Sequence, residues 1–205
     1  MNSINNFYSL TSLFGTKAYL YLNNFYYGKN NQVVRYQDDN RLFMESIYTH
    51  INNLITDPSL IIDNIYLGSA YNAYNKQLLE DFNIKSILNV TDDLPNLHTD
   101  CYNYKNINIR DTRDCFIGTY LDDAYNYINE NNKVPILVHC YMGSSRSASI
   151  VIYYLMKKYG LNFNIAYSIV KSKRSLINPN INFVNELKEF DRITKVKDVR
   201  LLKDV

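Results

Sequence analysis

The sequence has no tryptophan, only three cysteines and almost no excess of charge of either sign. It contains 22 Lys and Arg against 20 Asp and Glu, a formal net charge of +2 over 205 residues. A nearly neutral protein has no strong overall electrostatic field, which argues against binding to nucleic acid or to an anionic membrane. Three cysteines, an odd number, argue against a disulfide framework and raise the question of which thiol is reactive.

Long apolar runs are also missing. A stretch such as residues 150–156 is far shorter than the roughly 20 residues that a membrane-spanning helix needs, so we expect no membrane insertion. The first residues lack the basic start and continuous apolar core of a secretory signal. The default compartment is therefore the reducing cytoplasm, with access to the nucleus left open. No repeat with a period of roughly 20–50 residues is visible, which argues against a solenoid or a propeller.

What is present suits one globular domain with an extension, because 46% of the residues are apolar and 14% aromatic. Residues 1–57 are interpreted as a partly helical N-terminal extension of unknown role, either packed on the domain or docking a partner. The helix is indicated by apolar residues at helical spacing, namely Phe43, Ile47, Ile51, Leu54 and Ile55. Asp57-Pro58 is a turn signal. It leaves residues 58–195 as the main domain, which carries the candidate site described below, and 196–205 as a tail.

Strand-like and helix-like segments alternate from residue 59 onward. Residues 61–62 and 65–67 flank an Asp63-Asn64 turn, as in a short hairpin. Gly160 is placed to end a long apolar helix as a left-handed cap. The other predicted strands cover 86–90, 104–109 and 134–139, and the predicted helices cover 71–82, 120–131, 144–159, 164–172 and 182–192. This alternation indicates an α/β fold with a central, mostly parallel sheet flanked by helices.

The most informative stretch is Val138-His139-Cys140-Tyr141-Met142-Gly143-Ser144-Ser145-Arg146-Ser147, where a strand meets the long helix. Ligands of open α/β sheets sit at the carboxyl ends of strands, and a helix N-terminus there attracts anions. Five residues separate Cys140 from Arg146, enough for a loop whose amides surround a tetrahedral dianion while the guanidinium clamps it. In that field the thiol should ionise well below its usual pKa of about 8.5, giving a nucleophilic thiolate.

Three neighbours support this chemistry. His139 can hold the loop by hydrogen bonds, and the Ser147 hydroxyl can donate to the thiolate. Gly143 allows the backbone to approach the ligand closely.

The pattern His-Cys-x-x-Gly-x-Ser-Arg-Ser resembles the signature loop of cysteine-dependent protein tyrosine phosphatases, specifically the dual-specificity branch. Residues 65–69, 87–91 and 175–180 resemble the family's opening strand, its next strand and the start of its late helix, so the resemblance covers about 60–192. Met142 stands where the branch usually carries Ala, which bears on the rim of the loop more than on the reaction.

The resemblance implies an α/β cysteine-phosphatase fold and hydrolysis of phosphotyrosine and phosphoserine/threonine in proteins. The reaction would pass through a cysteinyl-phosphate on Cys140, with Ser147 helping the thiolate to leave. The implied substrate-binding residues are Tyr141, Met142, Gly143, Ser144, Ser145 and Arg146.

The mechanism needs a carboxylic acid that protonates the departing oxygen. Residues 107–114 end a predicted strand and begin a loop. In the resembling family the acid directly follows such a strand, which selects Asp111 and leaves Asp114 as the nearby competitor. Asp92-Asp93 and Asp122-Asp123 are interpreted as turn or helix-start residues.

The other candidates receive simpler interpretations. His50 and His98 are isolated, so no metal and no cofactor are implied. Cys101 and Cys115 are interpreted as ordinary thiols, and residues 171–174 as a solvated helix end that could attract an acidic phosphoprotein surface.

Two rival functions remain. A phosphoinositide or RNA 5′-phosphatase of the same superfamily would favour extra cations in the loop, yet residues 141–145 carry none. A catalytically silent phosphopeptide-binding module would typically lack the nucleophile or the acid. Phosphoproteins are the expected partners, nucleic acid is not, and the oligomeric state is left open.

Overall fold

The computed structural model describes the backbone of residues 52–201 and the side chains of residues 52–193. These residues lie in one compact unit that starts at Asn52. Residues 52–55 are helical, whereas the rest of the helix predicted from Phe43 lies outside the described residues, as does nearly all of the predicted extension. The domain limits placed at 57/58 and 195/196 stay predictions. No helix within 52–201 is both long and apolar enough to cross a membrane.

The described residues form a five-stranded sheet in the order β1-β2-β5-β3-β4. β1 and β2 form the predicted antiparallel hairpin, and every other neighbouring pair is parallel. The predicted mostly parallel α/β sheet is therefore confirmed. The strands are β1 (Ser59–Ile62), β2 (Ile65–Gly68), β3 (Ser86–Asn89), β4 (Asn103–Asn106) and β5 (Ile136–His139). The helices are α1 (Ala70–Tyr74), α2 (Lys76–Asp81), α3 (Gly118–Asn131), α4 (Arg146–Tyr159), α5 (Phe163–Lys173) and α6 (Ile181–Leu201).

Both faces of the sheet are covered, because successive side chains of a strand point to opposite faces. Ile136 and Val138 of β5 belong to the main core, which α3 to α6 complete. Tyr66 of β2 faces the other way and meets Phe82, just after α2, in an edge-on ring contact of 5.6 Å. The centre of the sheet, where β5 ends, is thus buried from both sides.

The single helix predicted over 71–82 is wrong, because the chain breaks at Asn75. This residue is extended (φ −87°, ψ 99°), ends α1 and caps α2, and its side-chain oxygen accepts from Leu78 N at 3.2 Å. Asn favours such cap positions because its short polar side chain competes with helical backbone hydrogen bonding.

The strand predicted over 104–109 ends at Asn106, three residues early. β4 is an edge strand whose neighbour β3 stops at Asn89, so the ladder ends where Ile107 N donates to Asn89 O at 2.8 Å. The following residues cross the carboxyl edge of the sheet as a loop.

Several helix limits also differ from prediction, including the start of α3, which is Gly118 rather than 120. α4 begins at Arg146 rather than 144, because Ser144 and Ser145 belong to the preceding loop, and α6 continues past 192 to Leu201. Gly160 does end α4 in the left-handed conformation (φ +64°), as its position predicts.

Candidate active site

The loop between β5 and α4, residues 140–145, lies at the carboxyl edge of the sheet. β5 ends at His139, which is paired with Gly68 of β2 and Asn89 of β3. Cys140 follows directly and is only 2% exposed. Strand pairing on both sides therefore fixes the point from which the loop departs.

Four consecutive carbonyls of this loop, those of residues 141–144, accept hydrogen bonds from groups outside it. The donors are Ala70 N to Tyr141 O at 3.0 Å, Arg174 Nη2 to Met142 O at 3.4 Å, Arg174 Nε to Gly143 O at 2.9 Å and Asn178 N to Ser144 O at 3.0 Å. In a trans peptide the N–H points opposite to the carbonyl. The amides of residues 142–145 therefore face the inside of the loop, as an anion cradle requires.

Gly143 is required for this conformation. Its φ is +69°, and a Cβ there would lie 2.5 Å from Gly68 O. Any other residue would clash with β2 as well as strain its own backbone.

The thiol of Cys140 lies in an environment that favours the thiolate. Burial alone raises its pKa, but the positive charge of Arg146 and hydrogen bonds from the Ser147 side chain and the Ser144 and Ser147 amides lower it, and the net pKa lies below that of an ordinary thiol. The Ser147 hydroxyl donates to Cys140 Sγ at 3.2 Å. This arrangement favours a nucleophilic thiolate.

His139 is buried beneath the loop, and its Nδ1 lies 3.4 Å from Cys140 O. Burial, together with the nearby charge of Arg146, lowers its pKa to about 4, against a weaker opposing effect of the Cys140 carbonyl. The imidazole is therefore neutral at pH 7.

Arg146, the first residue of α4, is fixed by a contact outside its helix. Its Nη1 donates to Ile109 O at 3.1 Å in the segment that follows β4. Asp92 Oδ1 lies 3.7 Å from Nη1, and Asp111 Oδ2 lies 3.8 Å from Nε. The buried Nε has no hydrogen-bond partner among the described residues, so one donor of the guanidinium is free for a ligand.

The structure brings Asp111, but not Asp114, to the loop. Ser145 Oγ donates to Asp111 Oδ1 at 2.9 Å. Asp114 is exposed and pairs with Arg110 at 3.5 Å, a contact that contributes, after hydrogen bonds from Thr112 and its own backbone, to a lowered pKa. A carboxyl group at Asp111 can therefore reach a ligand held by the loop.

Arg174 was missed by the sequence analysis, and its interpretation as part of a solvated helix end is wrong. It is 2% exposed. Its Nε and Nη2 donate to the two loop carbonyls given above, and its Nη1 donates to Asp57 O at 3.0 Å and Ser59 Oγ at 3.3 Å. Burial lowers the pKa of its guanidinium to about 10, which leaves it charged at neutral pH. A basic run at the end of an amphipathic helix carries no signal for such a role.

Asp92 was also missed as a neighbour of the site, because an Asp-Asp pair after a strand is typical of turns. The remaining candidates lie elsewhere: Cys101 is exposed, and Cys115 is buried in the core. Among the described residues, no three His, Cys, Asp or Glu side chains are grouped so that they could hold a metal ion.

Comparison with known proteins places this geometry in context. Residues 65–193 match the family model for the dual specificity phosphatase catalytic domain. The chain is 38% identical over 143 residues to dual specificity protein phosphatase 1 of Arabidopsis thaliana, covering 69% of this chain and 72% of that protein. It is 42% identical over 139 residues to human dual specificity protein phosphatase 6, covering 66% of this chain but only 36% of that protein.

Solved structures show the same architecture. DUSP15 superposes with a TM-score of 0.63 at 28% identity, covering 72% of this chain and 96% of that one. A human protein described as tyrosine phosphatase-like and serine/threonine/tyrosine-interacting superposes with a TM-score of 0.62 at 25% identity, covering 67% of this chain and 97% of that one. The fold thus occurs both in phosphatases and in a protein described only as phosphatase-like, so the site residues have to decide between these functions.

Proposed function

Because the chain belongs to the dual specificity phosphatase family, we propose that it removes phosphate from tyrosine and from serine/threonine in proteins through a cysteinyl-phosphate on Cys140. The membership confirms the predicted family and phosphatase class. The chain spans 72% of the Arabidopsis relative but about a third of human phosphatase 6, so the substrates are part of the proposal.

In the first step, Cys140 Sγ attacks phosphorus and the bond to the leaving oxygen breaks. The amides of residues 142–145 and the free Nε of Arg146 bind the phosphoryl oxygens, where fixed donors stabilise the spread charge of the transition state. Asp111, held by Ser145, gives its proton to the leaving oxygen.

In the second step, Asp111 accepts a proton from water, and the water oxygen attacks phosphorus. The S–P bond breaks, inorganic phosphate forms and the thiolate returns. The Ser147 hydroxyl stabilises that thiolate through the same hydrogen bond that it makes in the free protein. His139 holds the loop from below as a neutral imidazole.

One observation carries the proposal: a buried thiol with a lowered pKa lies in a loop whose carbonyls at 141–144 are bound from outside, and Arg146 beside it faces a carboxyl group. A silent binding module has no use for the thiolate or the acid. The loop side chains 141–145 offer no extra cation for a polyanionic substrate. We also propose action in the reducing cytoplasm, because the thiolate would be oxidised elsewhere.

Replacing Cys140 tests the covalent mechanism. Cys140→Ser should abolish hydrolysis of 4-nitrophenyl phosphate but retain phosphate binding, because the amides and Arg146 remain. Cys101→Ser, at an exposed thiol, is the matched control and should keep the wild-type rate. Rates and calorimetric phosphate affinity check both points, and turnover by Cys140→Ser at the wild-type rate would eliminate the mechanism.

Substrate class is tested with a panel of phosphotyrosine and phosphothreonine peptides, phosphoinositides and RNA 5′-triphosphate. We expect both peptides to be hydrolysed. A large preference for a phosphoinositide or for RNA would instead support the rival phosphatase function.

A further inference from the structure

The segment that carries Asp111 is tied to α6 at both of its ends. The contacts are Asn180 Nδ2 to Thr112 O at 3.1 Å, Asn182 Nδ2 to Arg113 O, Ile117 N to Glu186 Oε1 at 3.0 Å and Gly118 N to Glu186 Oε2 at 2.8 Å. Residues 112–118 are thus held by three side chains from one helix and the turn before it.

This support matters because the sheet does not hold the segment. The last ladder bond is made by Ile107, and residues 110–114 are all exposed. No apolar side chain anchors the chain between Asp111 and Cys115, so hydrogen bonds to the backbone decide where that stretch lies. Two of its carbonyls, those of Thr112 and Arg113, accept from the two asparagine amides, and Thr112 O also accepts from Cys115 N at 3.3 Å within the loop.

The turn before α6, which contains Asn180, is also connected to the carboxyl group of Asp111. Asn180 N donates to Ser145 Oγ at 3.0 Å, and Ser145 Oγ in turn donates to Asp111. Because the hydroxyl accepts from Asn180, its own proton is directed to the carboxylate. One turn of chain therefore sets both the backbone after the acid and the hydrogen bond that orients it.

We propose that Asn180 and Asn182 are positioning residues for the general acid, holding Asp111 against Ser145 and Arg146 before substrate binds. The inference rests on the proposed role of Asp111. An acid already in place loses less freedom on reaching the transition state, so removing these contacts should slow proton donation without weakening substrate binding.

Replacement by aspartate isolates this role. Asn180→Asp keeps the side-chain oxygen that accepts from Asn182 N at 3.0 Å at the start of α6, and a carboxylate there is favourable to the helix. Asn180→Asp and Asn182→Asp each replace the N–H donor to the acid loop by a carboxylate oxygen, and the control below carries the same added charge. Asn185→Asp, at an exposed position in the same helix, is the matched control.

The experiment compares phenyl phosphate, a poor leaving group, with 4-nitrophenyl phosphate, a good one, in the full chain. For Asn180→Asp and Asn182→Asp, we expect kcat on phenyl phosphate to fall about tenfold, the effect of losing roughly one hydrogen bond. The nitrophenyl ester should be affected little, KM should not change, and Asn185→Asp should match the wild type. In an Asp111→Asn background the same substitutions should cost nothing further.

Equal losses on both esters, or a further loss in the Asp111→Asn background, would reduce the asparagines to a structural role and overturn the proposal. Asn182→Ala provides a second test if Asn182→Asp does not fold. If Asp111→Asn alone shows no dependence on the leaving group, the acid assignment itself is wrong and the positioning role is overturned with it. The two outcomes can be told apart, because a wrong acid assignment shows in the Asp111→Asn variant itself, whereas a wrong positioning role shows only in the asparagine variants.

Discussion

At the residue scale, Arg146 keeps one N–H donor of its guanidinium without a hydrogen-bond partner in the part of the chain that the structure describes, so that it can bind a ligand. One of its nitrogens is bound by Ile109 O, and two carboxylates stand just beyond hydrogen-bonding distance, Asp92 at 3.7 Å and Asp111 at 3.8 Å. The plane of the guanidinium is therefore fixed, while Nε remains available for a phosphoryl oxygen. Asp92 also balances part of the positive charge around the loop.

The choice between Asp111 and Asp114 is a prediction at this scale. Positioned proton transfer contributes about 10²–10⁴ in rate when the leaving group is poor and much less when it is acidic. Asp111→Asn should slow hydrolysis of a phosphotyrosine peptide by roughly that factor and hydrolysis of 4-nitrophenyl phosphate by less. Asp114→Asn, the matched control, should lose little, since that carboxyl pairs with Arg110 on the surface. The opposite result would move the acid three residues down the chain.

At the element scale, the sequence predicted every strand and most helices, but not all of their limits. Hydrophobic periodicity is a local signal, whereas the end of β4 depends on where β3 stops. The break at Asn75 likewise depends on a cap that an isolated Asn does not reveal. Within the site, Cys140, Arg146 and Ser147 are neighbours in sequence and could be identified together. Arg174 and Asn180 reach the site only through tertiary structure, so no local pattern marks them.

The packing of α5 against the loop gives a prediction about Arg174. Arg174→Met removes all four hydrogen bonds made by this guanidinium and leaves buried carbonyls unpaired, which should lower the free energy of unfolding by about 3 kcal/mol. The loop should also lose its shape, so kcat should fall. Lys173→Met, at the exposed last residue of α5, should change neither quantity. Urea unfolding and steady-state kinetics check this, and equal effects of the two variants would contradict it.

At the scale of the whole molecule, His139 predicts how stability depends on pH. Its pKa is about 4 in the folded protein and 6.5 in its ordinary state. Below pH 6.5 His139 is protonated in the unfolded chain but not in the folded one. The contribution of the neutral imidazole to stability is therefore complete above pH 6.5 and is lost as the pH drops towards 4. At about 1.36 kcal/mol per pH unit, the total loss is about 3 kcal/mol.

Urea unfolding between pH 7 and pH 5 measures this effect, since most carboxyl groups titrate below that window. His139→Gln should flatten the slope even if the variant is less stable at pH 7. An unchanged slope in the variant would show that His139 is not the group responsible.

The four contacts of Arg174 also bear on biosynthesis. One of them joins Arg174 to Asp57, 117 positions earlier, and the same guanidinium also binds the Cys140 loop. A nascent chain that has emerged only as far as Cys140 lacks the cation that shapes the loop and the turn at 178–182 that closes over it. Its sulfur is then an ordinary thiol. We expect the reactive thiolate only after Arg174 and the turn before α6 have been synthesised and have folded against the loop, so an unfinished chain should carry an ordinary thiol at this position.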